Sequence, residues 1–274
     1  ERLLATIGQA LAGPIDLAAR YADEARARDM RDAFIGIVSH ELRTPITTIY
    51  GMSRVLRQRA ASMDPVAVHQ ALADIEAEAE RLRRLTEDLL VLSRAEGGQL
   101  HVPADPILVG HIVARSIEGE AARWPGHRFA SEVPSGLPLV GGEDLYVEQV
   151  VRNLLGNAAK YSPAGSTIRT IVAPEGAGVA VRVLDQGPGL RDQDPARLFE
   201  LFYRAPEAVR QTPGAGIGLF VCRELVAAMG GRIWATDVGG GAGGAGRAGG
   251  AGRAGGAEFG FWLPALADES LGAD

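Results

Sequence analysis

Two runs of apolar residues, spaced by alternating steps of four and three, leave this chain few ways to begin folding. The first passes through Val38, Leu42, Pro45, Ile49, Met52 and Leu56, and the second through Leu72, Ile75, Ala79, Leu82, Thr86 and Leu89, flanked by Leu85 and Leu92. Such spacing is the seam of a left-handed helix bundle. Between them, residues 62–65 break the pattern, with Asp64 placed to cap a helix and Pro65 to open it. Two amphipathic helices joined by a short turn form an antiparallel hairpin. A lone hairpin buries only one side of each helix, so two of them are expected to pair as a four-helix bundle, which makes the chain a homodimer.

Beyond Gly97-Gly98 the pattern changes. Pro103 and Pro106 mark a linker, and helices and strands then alternate. Residues 107–122, 143–161 and 217–228 read as helices. Residues 128–133, 166–173, 178–184, 232–236 and 259–263 read as strands, the second and third joined as a hairpin through Pro174-Glu175-Gly176. Neighbouring antiparallel strands argue against a doubly wound nucleotide fold. The expectation is an all-α hairpin forming a dimeric four-helix bundle, followed by an α/β sandwich with a mixed sheet. By this division, residues 1–32 are a signalling helix and linker, and 33–96 the hairpin. Residues 97–106 are a linker, 107–266 the α/β domain and 267–274 a tail. Residues 239–257, with Gly-Gly-Ala-Gly-Arg-Ala repeated, read as a flexible loop.

His40 lies two residues from both Val38 and Leu42, about 200° around the helix from each, and so points away from the seam. An exposed imidazole is a nucleophile if something accepts its second proton. Glu41 is adjacent and suited to that task. Thr44, one turn on, presents a hydroxyl that can position a water. Pro45 lacks an N–H, so the helix is expected to bend beside the histidine, which gives a switch two shapes.

The second half lacks a Gly-x-x-x-x-Gly-Lys-Ser/Thr loop, which excludes a P-loop site by that criterion. It carries Asn153 and Asn157 four apart on one helix face, with Lys160 adjoining. Amide oxygens suit a hydrated Mg²⁺ and a lysine suits phosphate. Asp185-Gln-Gly-Pro-Gly189 follows a strand, where a carboxylate can accept the exocyclic amine of adenine and glycines permit close backbone approach. Gly214-Ala-Gly-Ile-Gly-Leu219 runs into a helix, an arrangement suited to a triphosphate. Between them Phe199 and Phe202 precede Arg204 and a loop from Ala205 to Pro213.

The run Phe34-Ile-Gly-Ile-Val-Ser-His-Glu-Leu-Arg-Thr-Pro45 resembles the phosphoacceptor box of the sensor histidine kinases. The asparagine, glycine and phenylalanine boxes resemble, in order and spacing, the ATP-binding domain those kinases share with gyrase, chaperone and mismatch-repair relatives. The resemblance covers residues 34 to about 266. It implies that His40 is the phosphoacceptor, Glu41 its general base and Thr44 the residue used in dephosphorylating a partner response regulator. It further implies that Asn157, helped by Asn153, binds Mg²⁺, that Lys160 and Tyr161 contact phosphates, and that Asp185, with Gly187 and Gly189, holds adenine. Gly214, Gly216, Ile217, Gly218 and Leu219 would cradle the triphosphate of ATP, with Arg204 and the following loop as a lid. Gln186 stands where the family typically has asparagine. The implied partners are a second copy, a receiver domain and an upstream sensor; residues 1–30 resemble the last helix of a GAF sensor domain.

Composition fits this. A net charge of −6 with no strongly basic face argues against nucleic acid as a partner. The single cysteine, Cys222, fits a reducing compartment. With no apolar run of membrane length, no signal peptide and Glu1 at the start, the expectation is a cytoplasmic piece of a longer chain.

Overall fold

A computed structural model of the chain describes residues 34–190, 194–205, 215–238 and 255–266. The expectations for the signalling helix 1–32, Gly214, most of the lid loop 205–213, most of the run 239–257 and the tail fall outside those residues. Two compact units divide between Leu85 and Thr86.

In the first unit, helix α1 covers residues 34–59. A 3₁₀ turn at Ala60–Ser62 follows, and then α2, Pro65–Glu96, which crosses the division. Asp64 caps α2 by accepting from the Val66 N–H at 2.9 Å, and Pro65 supplies the first helical residue, where a missing donor is harmless. The α1 seam is as read: Val38, Leu42, Ile49, Met52 and Leu56 are half-buried and Pro45 is buried. The α2 seam differs. Ala71, Ile75, Glu78, Leu82 and Leu85 turn inward, whereas Leu72, Ala79 and Thr86, seven apart, are exposed. A bundle helix serves two neighbours, and the partner within the hairpin covers only one of its stripes. Ile46 and Tyr50 of α1 are likewise exposed.

The second unit is a five-stranded sheet with three helices over one face. It contains α3 (Val109–Arg123), β2 (Arg128–Glu132), α4 (Asp144–Tyr161), β4 (Thr167–Pro174), β5 (Gly178–Leu184), α5 (Gly218–Ala228), β6 (Arg232–Asp237) and β7 (Ala257–Pro264). Strand order is β2-β4-β5-β7-β6, parallel between β2 and β4 and antiparallel elsewhere, so the sheet is mixed as expected. Alternate residues Ile168, Thr170 and Val172 of β4, Val179, Val181 and Val183 of β5, and Phe261 and Leu263 of β7 are buried. They meet the apolar faces of α4 (Val147, Val150, Val151, Leu154, Leu155) and α5 (Val221, Leu225). Two short strands lacked a sequence signal: β1 (Asp105–Ile107) pairs antiparallel with β3 (Val140–Gly142). β1 contains Pro106, which on a two-stranded edge forfeits little, and it begins within the stretch read as linker.

The antiparallel order brings the C-terminal end of β5 beside the start of β7, with Leu184 opposite Glu258. The loop leaving β5 thereby lies next to the residues entering β7. That placement builds the nucleotide-box end of the domain.

Candidate functional site

His40 belongs to the first unit and its side chain is 76% exposed. Its Nδ1 is 3.9 Å from Glu41 Oε1, close but longer than a hydrogen bond. The other Glu41 oxygen, Oε2, accepts from Arg81 Nη2 of α2 at 2.9 Å, and the Glu41 side chain is only 15% exposed. Arg81 also lies 3.7 Å from Glu78. Sequence reasoning missed Arg81 because nothing local ties it to residue 41; the hairpin register alone makes them neighbours. Helical structure runs unbroken through Pro45. Around it, the hydroxyls of Thr44, Thr47 and Thr48 donate to the carbonyls of His40 (3.2 Å), Arg43 (2.8 Å) and Thr44 (3.2 Å). In this rotamer the Thr44 proton is committed to the backbone, leaving its oxygen lone pairs to face outward partners.

In the second unit, α4 buries Val150, Val151, Leu154, Leu155, Ala158 and Ala159 and leaves Asn153, Asn157 and Lys160 partly exposed on the remaining stripe. The Asn153 amide donates to the carbonyl of Gly218 at 3.5 Å, and a Cβ on Gly218 would sit 3.6 Å from that amide. Residues 65 positions apart in sequence are thus in contact. Lys160 Nζ stands 5.4 Å over the Tyr161 ring.

Asp185 closes the adjoining corner. Its Oδ1 accepts from the N–H of Gly187 at 2.8 Å and of Ala257 at 3.0 Å. With one oxygen held by two donors, the carboxyl is aimed rather than free to rotate. Burial raises its pKa, the two backbone donors oppose that, and the nearby Asp237 charge adds to the rise. Gly187 leaves no room for a side chain, since a Cβ would lie 2.8 Å from the Tyr161 carbonyl oxygen. Gly189 has φ 73°, and a Cβ there would meet Asp237 Oδ1 at 2.8 Å. Gln186 is structural: its side-chain oxygen accepts from the Thr167 N–H at 3.0 Å while its own N–H donates to Ser162 Oγ at 3.2 Å.

Gly216 (φ 72°) accepts from the Phe202 N–H at 3.0 Å, and Phe202 at φ 65° is the one non-glycine with positive φ among the described residues. That conformation costs on the order of 1–3 kcal/mol, which the surrounding contacts must offset. Ile217 is buried, and Leu219 packs on the cluster of Leu190, Phe199, Ala235 and Ala257. Both side chains are therefore core, leaving only their backbone to face a ligand. Arg204 is half-buried. The asparagine and both glycine boxes come together at one end of the domain, with adjacent amides, a lysine and an aimed carboxyl. These groups suit a nucleotide with its phosphates and cation.

The fold and site define an ATPase-type α/β sandwich in a chain that also carries an exposed histidine on a helical hairpin. Residues 142–267 match the family of histidine kinase-, DNA gyrase B- and HSP90-like ATPases, and residues 30–98 match the histidine kinase A phosphoacceptor domain. The chain belongs to the sensor histidine kinases of two-component systems. It is 31% identical over 245 residues to the sensor histidine kinase TrcS of Mycobacterium tuberculosis, covering 88% of this chain and 46% of that protein. It is 33% identical over 221 residues to the sensor histidine kinase WalK of Bacillus subtilis, covering 77% of this chain and 35% of that protein. The chain thus spans less than half the length of either relative. Among solved structures, full-length ShkA in complex with AMPPNP aligns with a TM-score of 0.57 and 28% identity, covering 84% of this chain and 45% of that one. Acinetobacter baumannii histidine kinase AdeS shares the fold, with a TM-score of 0.52, 22% identity and coverage of 82% of this chain and 98% of that one. No described helix is long and apolar enough to cross a membrane.

Proposed function

We propose that this chain phosphorylates its own His40 from ATP and passes the phosphoryl group to an aspartate of a response-regulator receiver domain. The observation that carries this is the exposed imidazole with Nδ1 turned toward a carboxylate that Arg81 holds in place. In the Nδ1–H tautomer, Nε2 presents its lone pair to the γ-phosphorus. The N–P bond forms as the bond from that phosphorus to the β,γ-bridging oxygen breaks, and ADP departs. Glu41 takes the Nδ1 proton after a small approach from 3.9 Å.

On the nucleotide side, Asp185 accepts the adenine amine, Gly187 and Gly189 let the base lie close, and Lys160 and Tyr161 meet the phosphates. The backbone of Gly216, Ile217, Gly218 and Leu219 lies at the α5 N-terminus, where N–H groups favour anions. Asn157 and Asn153 would hold Mg²⁺, which supplies charge neutralisation on the phosphates. The exposed stripe of Leu72, Ala79 and Thr86, with Ile46 and Tyr50, supports a homodimer in which a second hairpin covers these residues. Thr44 is assigned to the reverse reaction on the receiver domain, and signals would arrive from a sensor upstream of the hairpin.

Incubation with γ-labelled ATP and Mg²⁺ should yield an acid-labile, base-stable phosphoramidate that His40→Gln abolishes. Equal labelling of that variant would remove the assignment. ATP hydrolysis without labelling would instead favour an ATP-driven conformational machine.

A further inference from the structure

β5 ends at Leu184, whereas β4 begins at Thr167, two residues before the last ladder pair of Arg169 with Leu184. Were that antiparallel register to continue, Thr167 would stand opposite Gln186. The chain instead peels away into the Asp185 loop, and the Gln186 side chain does what the departed strand cannot. Its Oε1 accepts from the Thr167 N–H at 3.0 Å, a backbone donor that selects the amide oxygen over the nitrogen. The Gln186 N–H in turn donates at 3.2 Å to the hydroxyl of Ser162, the buried C-cap residue of α4. One residue therefore grips both ends of the α4–β4 connection, with its main chain at Ser162 and its side chain at Thr167. On the far side the same loop meets β7. The Asp185 N–H donates to the Ala257 carbonyl at 2.9 Å, and a Cβ on Gly256 would lie 2.6 Å from the Asp185 carbonyl oxygen. Asp185 sits between two walls, and Gln186 bonds its loop to the α4 side.

A fixed carboxylate selects a base, and a mobile one does not. Oδ1 of Asp185 is committed to the N–H groups of Gly187 and Ala257, so a base amine falls to Oδ2. Adenine offers that oxygen a donor. Guanine carries a carbonyl at the same ring position, and two acceptors set face to face repel and stay unsatisfied. The discrimination holds only while the carboxylate cannot swing aside to let the wrong base in. We propose that Gln186 is a positioning residue for base selection: by tying the Asp185 loop to Ser162 and Thr167, it holds the carboxylate against the adenine amine and makes the site reject guanine. The proposal rests on the reading of Asp185 as the adenine contact. Gln186 acts through Asp185 and need not touch the base.

The test is calorimetric binding of non-hydrolysable ATP and GTP analogues to the full chain in the presence of Mg²⁺. Wild type should favour the ATP analogue, and Asp185→Asn, whose amide can turn a donor toward guanine, should lose that preference. Gln186→Leu keeps the bulk but not the acceptor. There the ATP analogue should weaken about tenfold, the scale of one hydrogen bond lost from its proper geometry, while the GTP analogue stays within about twofold. Gln186→Glu retains an oxygen for the Thr167 N–H and should retain the preference, and Ser162→Ala should give a smaller loss of the same sign. Equal weakening of both analogues in Gln186→Leu would mark the residue as merely structural and overturn the proposal, as would unchanged affinity for both. A full preference in Asp185→Asn, or none in wild type, would refute the adenine reading itself and the proposal with it.

Discussion

Replacing Gly187 by alanine puts one methyl group where the asparagine and aspartate boxes touch. The new Cβ would lie 2.8 Å from the Tyr161 carbonyl oxygen, 3.1 Å from Asp185 Oδ1 and 3.3 Å from the Tyr161 carbonyl carbon. Relief to an ordinary contact requires a shift of about 0.6 Å, and overpacking of this kind costs about 1–3 kcal/mol. The loop cannot retreat freely, because Gln186 is tied on both sides, to Ser162 and to Thr167. The least constrained response is to lengthen the 2.8 Å bond from the Gly187 N–H to Asp185 and let the carboxyl swing. We therefore expect urea unfolding to show a loss of about 2 kcal/mol, and calorimetry to show ATP-analogue affinity reduced by at least about tenfold, equivalent to 1.4 kcal/mol. Gly119→Ala is the control: it lies in α3 with nothing within 4 Å of its would-be Cβ. Alanine there should stabilise the protein by about 0.5–1 kcal/mol and leave binding unchanged. Stability of Gly187→Ala within about 0.5 kcal/mol of wild type together with unaltered affinity would refute the packing argument, since that is the ordinary range for uninvolved surface changes.

Asp185 has a pKa raised above 3.8, mainly by burial. As pH falls through the raised value the carboxyl gains a proton and loses acceptor capacity, so nucleotide affinity should fall over that window, whereas in Asp185→Asn it should be low and flat. The same shift works oppositely on the unliganded domain: its stabilising contribution is full below 3.8 and lost as pH rises through the folded value, which a pH series of unfolding midpoints would read. Arg81→Met should slow His40 labelling at saturating ATP by about tenfold, part of what a positioned general base supplies, with nucleotide affinity unchanged and Arg81→Lys partly restoring the rate. An unaltered labelling rate would remove Arg81 from the site. Thr44→Ala should retain labelling and lose dephosphorylation of the receiver domain; an undiminished phosphatase rate would end that assignment.

Much of this protein could be read from local pattern. A helix repeats every 3.6 residues, so the stripe of Val38, Leu42 and Ile49 already oriented His40 outward, and the four-residue step from Asn153 to Asn157 already placed both amides on one face. Asp64 and Pro65 announced the start of α2 because capping is settled within a few residues. The α2 seam shows where such reading stops. Leu72 and Ile75 are equally apolar, and only the docking of α1 decided that Ile75 turns inward while Leu72 stays exposed at 53%. β1 and β3, three residues each, carry too little periodicity to be seen before they pair. Arg81 beside Glu41, Ala257 on Asp185, and Asn153 on Gly218 are contacts 40, 72 and 65 residues apart, respectively. No spacing rule reaches across such distances, because the chain between two such residues constrains their separation hardly at all. The sequence by itself determined which side chains carry the chemistry and which helix faces bear them. The tertiary structure alone decided what holds each one still, because that depends on which distant backbone and side-chain groups the packed helices and sheet bring within hydrogen-bonding range.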